Sequence, residues 1–302
     1  MSISRQNLTV VIVSFMSENV IHNCIQSIPK DIQIIVVDNS NNKLFKERIE
    51  KKYTNVTCIL SLENLGMGAG NNLGLRKVST DFAFVLNPDV ILEKNTIDEI
   101  IEASKFISSF SIIAPILDEK NFPNFKLYNQ KISQNILSEP LKVSSVDGFA
   151  MILNLNRINK LKTFENFKYF DENIFLYLEN DDLCKRITEN NENIYIVPKS
   201  KIKHIGASAV DKKYAYQIEL SRNWHWVWSK FYYNKKHYGF LNSLIKSLPT
   251  FLSAVTKYFF YFLFNKKKKE IYLHRAKGFL NAFLGKKSFF RPKIKISDQE
   301  NL

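Results

Sequence analysis

Four short apolar runs, each rich in β-branched residues or phenylalanine, restrict this chain more than any other feature. They are residues 8–15 (LTVVIVSF), 32–37 (IQIIVV), Val56–Leu60 (VTCIL) and Phe82–Leu86 (FAFVL). Runs that stay apolar on both alternating faces, bounded by polar turn residues, are read as strands buried on two sides. Helical patterns fall between them: Glu18–Ser27, stopped by Pro29, then 70–78, then Thr96–Phe106. Strand and helix in alternation predict an α/β fold, a mostly parallel sheet flanked by helices.

In such sheets ligands bind beyond the carboxyl ends of the strands. Three polar clusters stand there: Asp38-Asn39-Ser40, residues 64–72, and Asn87-Pro88-Asp89. In the last, a carboxylate on a proline-stiffened turn either shapes that turn or meets a Mg²⁺ or Mn²⁺ that also takes diphosphate oxygens. Glycines 66, 68, 70 and 74 either tighten a turn or let the backbone approach a ligand near a helix start. The stretch lacks the Gly-Lys-Ser/Thr ending of a Walker loop. It also follows the third strand and not the first, unlike the usual dinucleotide fingerprint.

Two further clusters lie downstream. Glu179-Asn180-Asp181-Asp182 follows the apolar run IFLYL and sets three carboxylates within four residues. Such carboxylates cap a helix start, hold a cation or move a proton. In a helix, Glu179 and Asp182 share a face and Asp181 lies on another. His204 comes after the apolar strand expected over Ile194–Val197 and is either a satisfied polar residue or a metal ligand.

Taken in this order, the pieces resemble family 2 glycosyltransferases of the GT-A fold, a Rossmann-like nucleotide-diphospho-sugar transferase architecture, and most nearly their rhamnosyltransferase-like branch. The matching stretches are residues 10–15, 36–40, 64–74, 86–89, 146–152 (VDGFAMI), 170–186 (FDENIFLYLENDDLCKR) and 204–208, within about residues 7–235. The resemblance implies that Ser14 and Asp38 meet the nucleoside. Asn64, Gly66, Asn71 and Asn87 would line the nucleotide-sugar site, and Gly148 would let backbone approach the sugar or acceptor. Asp89 would carry the metal, Mg²⁺ or Mn²⁺, with His204 as a further contact. The general base would lie among Glu179, Asp181 and Asp182. The family's usual run is Glu-Asp-x-Asp, and this chain has Asn180 at the second place; an amide cannot take the proton. The reaction implied is a single displacement with inversion. It moves a hexose, rhamnose among them, from a nucleotide-diphosphate sugar to a glycan or polyprenyl-diphosphate-linked acceptor in bacterial surface polysaccharide synthesis. A catalytically impaired nucleotide-sugar-binding relative is the alternative that Asn87 and Asn180 motivate.

Charge divides the chain. Residues 1–200 hold 22 Lys and Arg against 24 Asp and Glu, whereas residues 201–302 hold 21 against 5. The basic part contains an aromatic-rich stretch, residues 240–264, followed by Lys266-Lys267-Lys268-Lys269. Lys246, Pro249 and Lys257 interrupt it, so an interfacial helix or helix pair is expected and not a span. The expected organisation is a catalytic domain over 1–238 and a basic, helical, membrane-associating extension over 239–302. The expected location is the cytoplasm, peripheral on the inner face of the cell membrane, with an anionic membrane surface as partner. Nucleic acid is not expected, because the basic residues interleave with apolar ones and form no recognition motif. Three scattered cysteines predict no disulfide framework and suit a reducing compartment.

Overall fold

The computed structural model describes residues 2–117, 123–128, 139–162, 164, 169–204, 210 and 212–292. Two compact units divide the chain: Met1–Glu172 with Glu179–Val210, and Asn173–Leu178 with Asp211–Leu302.

The first unit is built on β1 (Leu8–Ser14), β2 (Gln33–Asp38), β3 (Val56–Leu60) and β4 (Phe82–Leu86), with α1 (Glu18–Ser27), α2 (Lys43–Lys52) and α3 (Gly66–Leu75) between them. After β4 come β5 (Val90–Leu92), α4 (Thr96–Phe106), β6 (Ile112–Leu117), β7 (Phe125–Lys126), β8 (Leu141–Val143) and β9 (Ser145–Val146). The unit ends with β10 (Ala150–Asn154), the single turn α5 (Leu155–Ile158), α6 (Glu179–Glu189) and β11 (Ile194–His204).

The main sheet runs β3-β2-β1-β4-β10-β6-β11-β5, with β8 beside β11. Strands β3, β2, β1 and β4 are mutually parallel, as are β6 and β11. Strand β10 enters antiparallel between β4 and β6. The apolar runs have no polar face because both faces of the sheet are covered. Val10, Ile12, Phe84 and Leu86 face one core with residues of α1, α2 and α4. Val11, Ala83 and Val85 face another with Leu75 of α3 and Leu183 and Ile187 of α6. All three cysteines are free and buried.

Helix α3 starts at Gly66, four residues before the glycine from which periodicity predicts it. Asn64 accepts the Gly66 N–H at 3.1 Å and so satisfies a donor at the helix start. The helix lies close on the sheet because Gly74 has no side chain. A Cβ there would stand 2.5 Å from Val11 Cγ1 and 3.1 Å from Val37 Cγ2. Gly74→Ala is therefore expected to lower stability by about 1–3 kcal/mol through overpacking. Alanine's better helix propensity works the other way. A chemical denaturation midpoint that does not fall would remove the close-packing role.

The second unit holds α7 (Ala215–Tyr238), α8 (Phe240–Tyr261) and α9 (Lys266–Phe283). Trp224, Val227, Trp228 and Phe231 of α7 pack with Phe279 and Ala282 of α9. Gly239, at φ +85°, separates α7 from α8, and Asn265 caps α9 by accepting the Lys268 N–H at 2.9 Å. Among the described residues no helix is long and apolar enough to cross a membrane.

Candidate active site

Strand register brings the polar clusters of the first unit to one edge of the sheet. Ser14 is level with Asp38, and Asp38 with Leu60, so the loops after β1, β2 and β3 meet. Ser14 is buried and its carbonyl accepts the Asn39 N–H at 2.8 Å. Asp38 is also buried, and it shapes its own turn. One oxygen accepts the Ser40 O–H at 2.6 Å and the Ser40 N–H at 3.2 Å, and the other accepts the Asn42 N–H at 2.8 Å. Burial pushes the Asp38 carboxyl up, and these bonds pull it back only in part. Asn39 ties the loops together, donating to the Gly66 carbonyl at 3.0 Å and accepting the Ser61 hydroxyl at 3.1 Å. Asn39 and Ser61 are structural pins; Asn39 belongs to the strand-end cluster that the sequence marks, whereas Ser61 does not.

Asn71 and Asn72 have different roles despite adjacency. Asn72 is fully buried and clamps the chain at Phe170: its amide donates to the Phe170 carbonyl at 2.8 Å and its oxygen accepts the Phe170 N–H at 3.0 Å. Asn71 Oδ1 is buried without a hydrogen-bond partner.

The antiparallel entry of β10 sets Gly148 and Phe149 beside the end of β4, where Asn87 N–H donates to the Phe149 carbonyl at 2.9 Å. The antiparallel pairing of β11 with β5 sets His204 level with Val90. As a result His204 Nε2 is 3.3 Å from Asp89 Oδ1, and the Phe149 ring stacks on the imidazole with centroids 4.2 Å apart. Asp89 is 3% exposed, and its Oδ1 and the Oδ1 of Asn87 are buried with no hydrogen-bond partner. Oxygen atoms in that state cost free energy unless something meets them. A carboxylate and an amide oxygen beside an imidazole nitrogen suit a hard divalent cation whose remaining positions go to phosphate and water. Among the described residues no three His, Cys, Asp or Glu side chains converge as a closed cage. Residues 205–208 of the histidine motif lie outside the described residues.

Helix α6 separates the acidic cluster into different tasks. Asp182 is fully buried and accepts from Arg186 Nε at 2.8 Å; Arg186 also donates to the Tyr169 carbonyl and lies over the Phe164 ring at 4.4 Å. Asp181 pairs with Lys126 of β7. Asn180 donates its amide to the Val146 carbonyl at 3.0 Å, a bond that an ionised aspartate cannot make. Gly148 fits against that amide, since a Cβ there would come within 3.0 Å of Asn180 Cβ. Glu179 keeps one oxygen, Oε2, buried and without a partner. Burial, with Asp181 adding to it, pushes the Glu179 carboxyl up to about 7, against a bond from its own backbone N–H. The two residues before it, Tyr177 at φ +70° and Leu178 at φ +68°, hold the left-handed conformation that side chains resist.

Asp147 joins the two halves of the site. Burial and then Asp181 push its carboxyl up, while Lys126 and His204 pull it down. Burial is the largest single effect on the Lys126 ammonium and pulls it down, but the bond to Asp181 and the charges of Asp181 and Asp147 together push it up on balance. Sequence reasoning singled out neither Asp147 nor Lys126. For Asp147 a signal was present, an acid between Val146 and Gly148 at the entry to a buried strand; for Lys126 there was none.

Comparison with known proteins identifies the family and the fold. The sequence model of glycosyl transferase family 2 matches residues 9–160, half of the 302-residue chain, and the chain belongs to that family. It is 26% identical over 204 residues to the low-salt glycan biosynthesis hexosyltransferase Agl10 of Haloferax volcanii, covering 62% of this chain and 64% of the relative, less than two thirds of that protein's length. It is 25% identical over 221 residues to the rhamnosyltransferase WbbL of Escherichia coli strain K12, covering 63% and 80%. The fold is GT-A: the mannosyltransferase PcManGT from Pyrobaculum calidifontis, solved with GDP-Man and Mn²⁺, superposes with a TM-score of 0.55 at 12% identity, over 94% of this chain and 89% of that one.

Proposed function

We propose that this protein is an inverting glycosyltransferase. It would move a hexose, with rhamnose the leading candidate, from a nucleotide-diphosphate sugar to a glycan or polyprenyl-diphosphate-linked acceptor. The setting is surface polysaccharide synthesis at the inner face of the cell membrane. One observation carries the reading. Of the five buried polar side-chain atoms without a partner among the described residues, four belong to Asn71, Asn87, Asp89 and Glu179. These are residues that strand-end position and family resemblance single out. A fold that leaves such buried atoms unmet is suited to a polar ligand.

In this reading Ser14 and Asp38 hold the nucleoside, Asn64, Gly66 and Asn71 line the nucleotide sugar, and Asp89 and His204 with Asn87 hold a Mg²⁺ or Mn²⁺. When bound, that cation neutralises charge on the departing diphosphate. Glu179 accepts the proton of the acceptor hydroxyl. The hydroxyl oxygen bonds to the anomeric carbon from the face opposite the diphosphate, the bond to the diphosphate oxygen breaks, and the nucleoside diphosphate leaves. Lys126 pairs with Asp181, and Asn180 fixes the backbone carrying Asp147 and Gly148.

Asn180 favours a second reading, a relative that binds the donor and does not turn it over. A thermal-shift screen against nucleotide sugars with Mn²⁺, followed by assay of nucleoside diphosphate release with acceptor, separates the two. Stabilisation by one donor with release supports the transferase. Stabilisation without release supports the binding relative, and no stabilisation by any nucleotide sugar defeats both.

A further inference from the structure

Helix α8 is packed inside out. It turns Ser243, Ser247 and Ala254 inward, all buried, with Leu244 and Phe251 only partly buried against the bundle core. Its large apolar residues face solvent: Leu241, Ile245, Leu248, Leu252 and Phe259 are all exposed, Leu241 at 68%. Their spacing of four, three, four and seven puts them on one stripe of the helix. At about 1.5 Å per residue the stripe is roughly 27 Å long. It leads to the turn between α8 and α9, where Leu263 is 82% and Phe264 is 78% exposed, next to exposed Phe260 and Phe262. An apolar face this continuous is not an ordinary solvated surface.

Charge on the same elements identifies what covers it. From Gly239 to Pro292 the sequence has eleven Lys and Arg and one acid, Glu270. Lys266, Lys267, Lys268 and Lys269 occupy the first turn of α9, which has no acid of its own. The backbone of a helix start is already positive, so four cations there repel it and each other. Among the described residues only Lys267 of the four has a carboxylate partner, Glu219 at 3.5 Å. The other contacts are with rings: Lys268 lies 5.0 Å from the Tyr261 centroid and Lys269 4.7 Å from that of Phe262. Cationic heads beside aromatic rings at the rim of an apolar stripe match the boundary between acyl chains and anionic headgroups.

We infer that the stripe of α8 and the α8–α9 turn form a docking surface for an anionic lipid bilayer, with α8 lying in the interface plane and the lysines of α9 at headgroup level. The inference rests on the second unit and needs none of the chemistry proposed for the first. It goes beyond a membrane location by assigning the face that lies on the lipid.

The test is flotation of the full chain with vesicles of equimolar phosphatidylglycerol and phosphatidylcholine, and with phosphatidylcholine alone. The expected result is flotation with the anionic vesicles at low salt, weakened by high salt. The variant F260S/L263S/F264S should lose at least about a hundredfold in partitioning on the anionic vesicles. These side chains are exposed, so circular dichroism should remain that of the parent. Changing Lys266, Lys267, Lys268 and Lys269 together to Gln should cost about fivefold per lysine on the anionic vesicles and nothing on the neutral ones. Asp89→Ala should float like the parent, which separates this result from failure of the transferase reading. Three outcomes overturn the proposal: the full chain stays unbound to anionic vesicles at low salt, the apolar triple variant floats normally, or the chain is a dimer that does not float and that the triple variant dissociates.

Discussion

Glu179→Gln is expected to bind the donor as the parent does and to turn over at least about a hundredfold more slowly. The three acids of the cluster are distinguished by their partners. Asp182 is buried on Arg186, and Asp181 is paired with Lys126, whereas Glu179 has a buried oxygen that nothing meets. A base must also be ionised and still want a proton, and a carboxyl pushed up to about 7 satisfies both near neutral pH. The parent rate should therefore rise with pH through about 7, and the residual rate of the glutamine variant should lose that step. Stability provides an independent readout. Burial raises the folded-state value above the ordinary 4.5, so the protonated form is the one that the fold prefers. The contribution of Glu179 is fully present below the unfolded value and is lost as pH rises to the folded one. Glu179→Gln should accordingly raise stability at pH 8, by on the order of 1 kcal/mol after allowance for solvent, with a higher melting temperature there and an unchanged one at pH 4. By contrast Asp182→Asn should destabilise by about 3 kcal/mol or more, because it leaves the buried Arg186 charge unpaired. If Glu179→Gln keeps parental turnover, the base lies elsewhere and the cluster is structural.

Asp89→Ala is expected to lower transfer by at least about a thousandfold and to remove the part of nucleoside diphosphate binding that depends on Mn²⁺. The reason is the buried carboxylate oxygen that lies 3.3 Å from His204 and has no hydrogen-bond partner. Without a ligand that oxygen is a cost to the fold, so the alanine variant should melt no lower than the parent in chelator and should lose the stabilisation that Mn²⁺ with nucleotide gives. His204→Ala should be milder, about ten- to a hundredfold, since the imidazole supplements the carboxylate. Titration of Mn²⁺ by calorimetry in the presence of nucleoside diphosphate checks both. An Asp89→Ala variant with near-parental activity would end the metal assignment.

The apolar runs determine the sheet by themselves. A strand without a polar face must be covered on both sides, and strands alternating with helices pair in parallel. That reasoning locates β3 and β4, α1 and α4 at their observed limits, and it places Asp38, Asn87 and Asp89 at one edge. Periodicity is weaker where glycine dominates: α3 begins four residues early, at Gly66, whose N–H Asn64 accepts. Local sequence also marks Glu179-Asn180-Asp181-Asp182 as chemically loaded. Nothing local can divide the labour among them, because the difference lies in Arg186, Lys126 and Val146, and in the burial of one oxygen. The meeting of His204 with Asp89 is likewise a tertiary result, arising from the antiparallel pairing of β11 with β5. The C-terminal stretch makes the same point in reverse. Its composition announces apolar and basic residues, but which side of α8 faces solvent was decided by packing: the bundle takes Ser243, Ser247 and Ala254 at close approach with Leu244 and Phe251 beside them, and leaves Leu241, Ile245, Leu248, Leu252 and Phe259 outside.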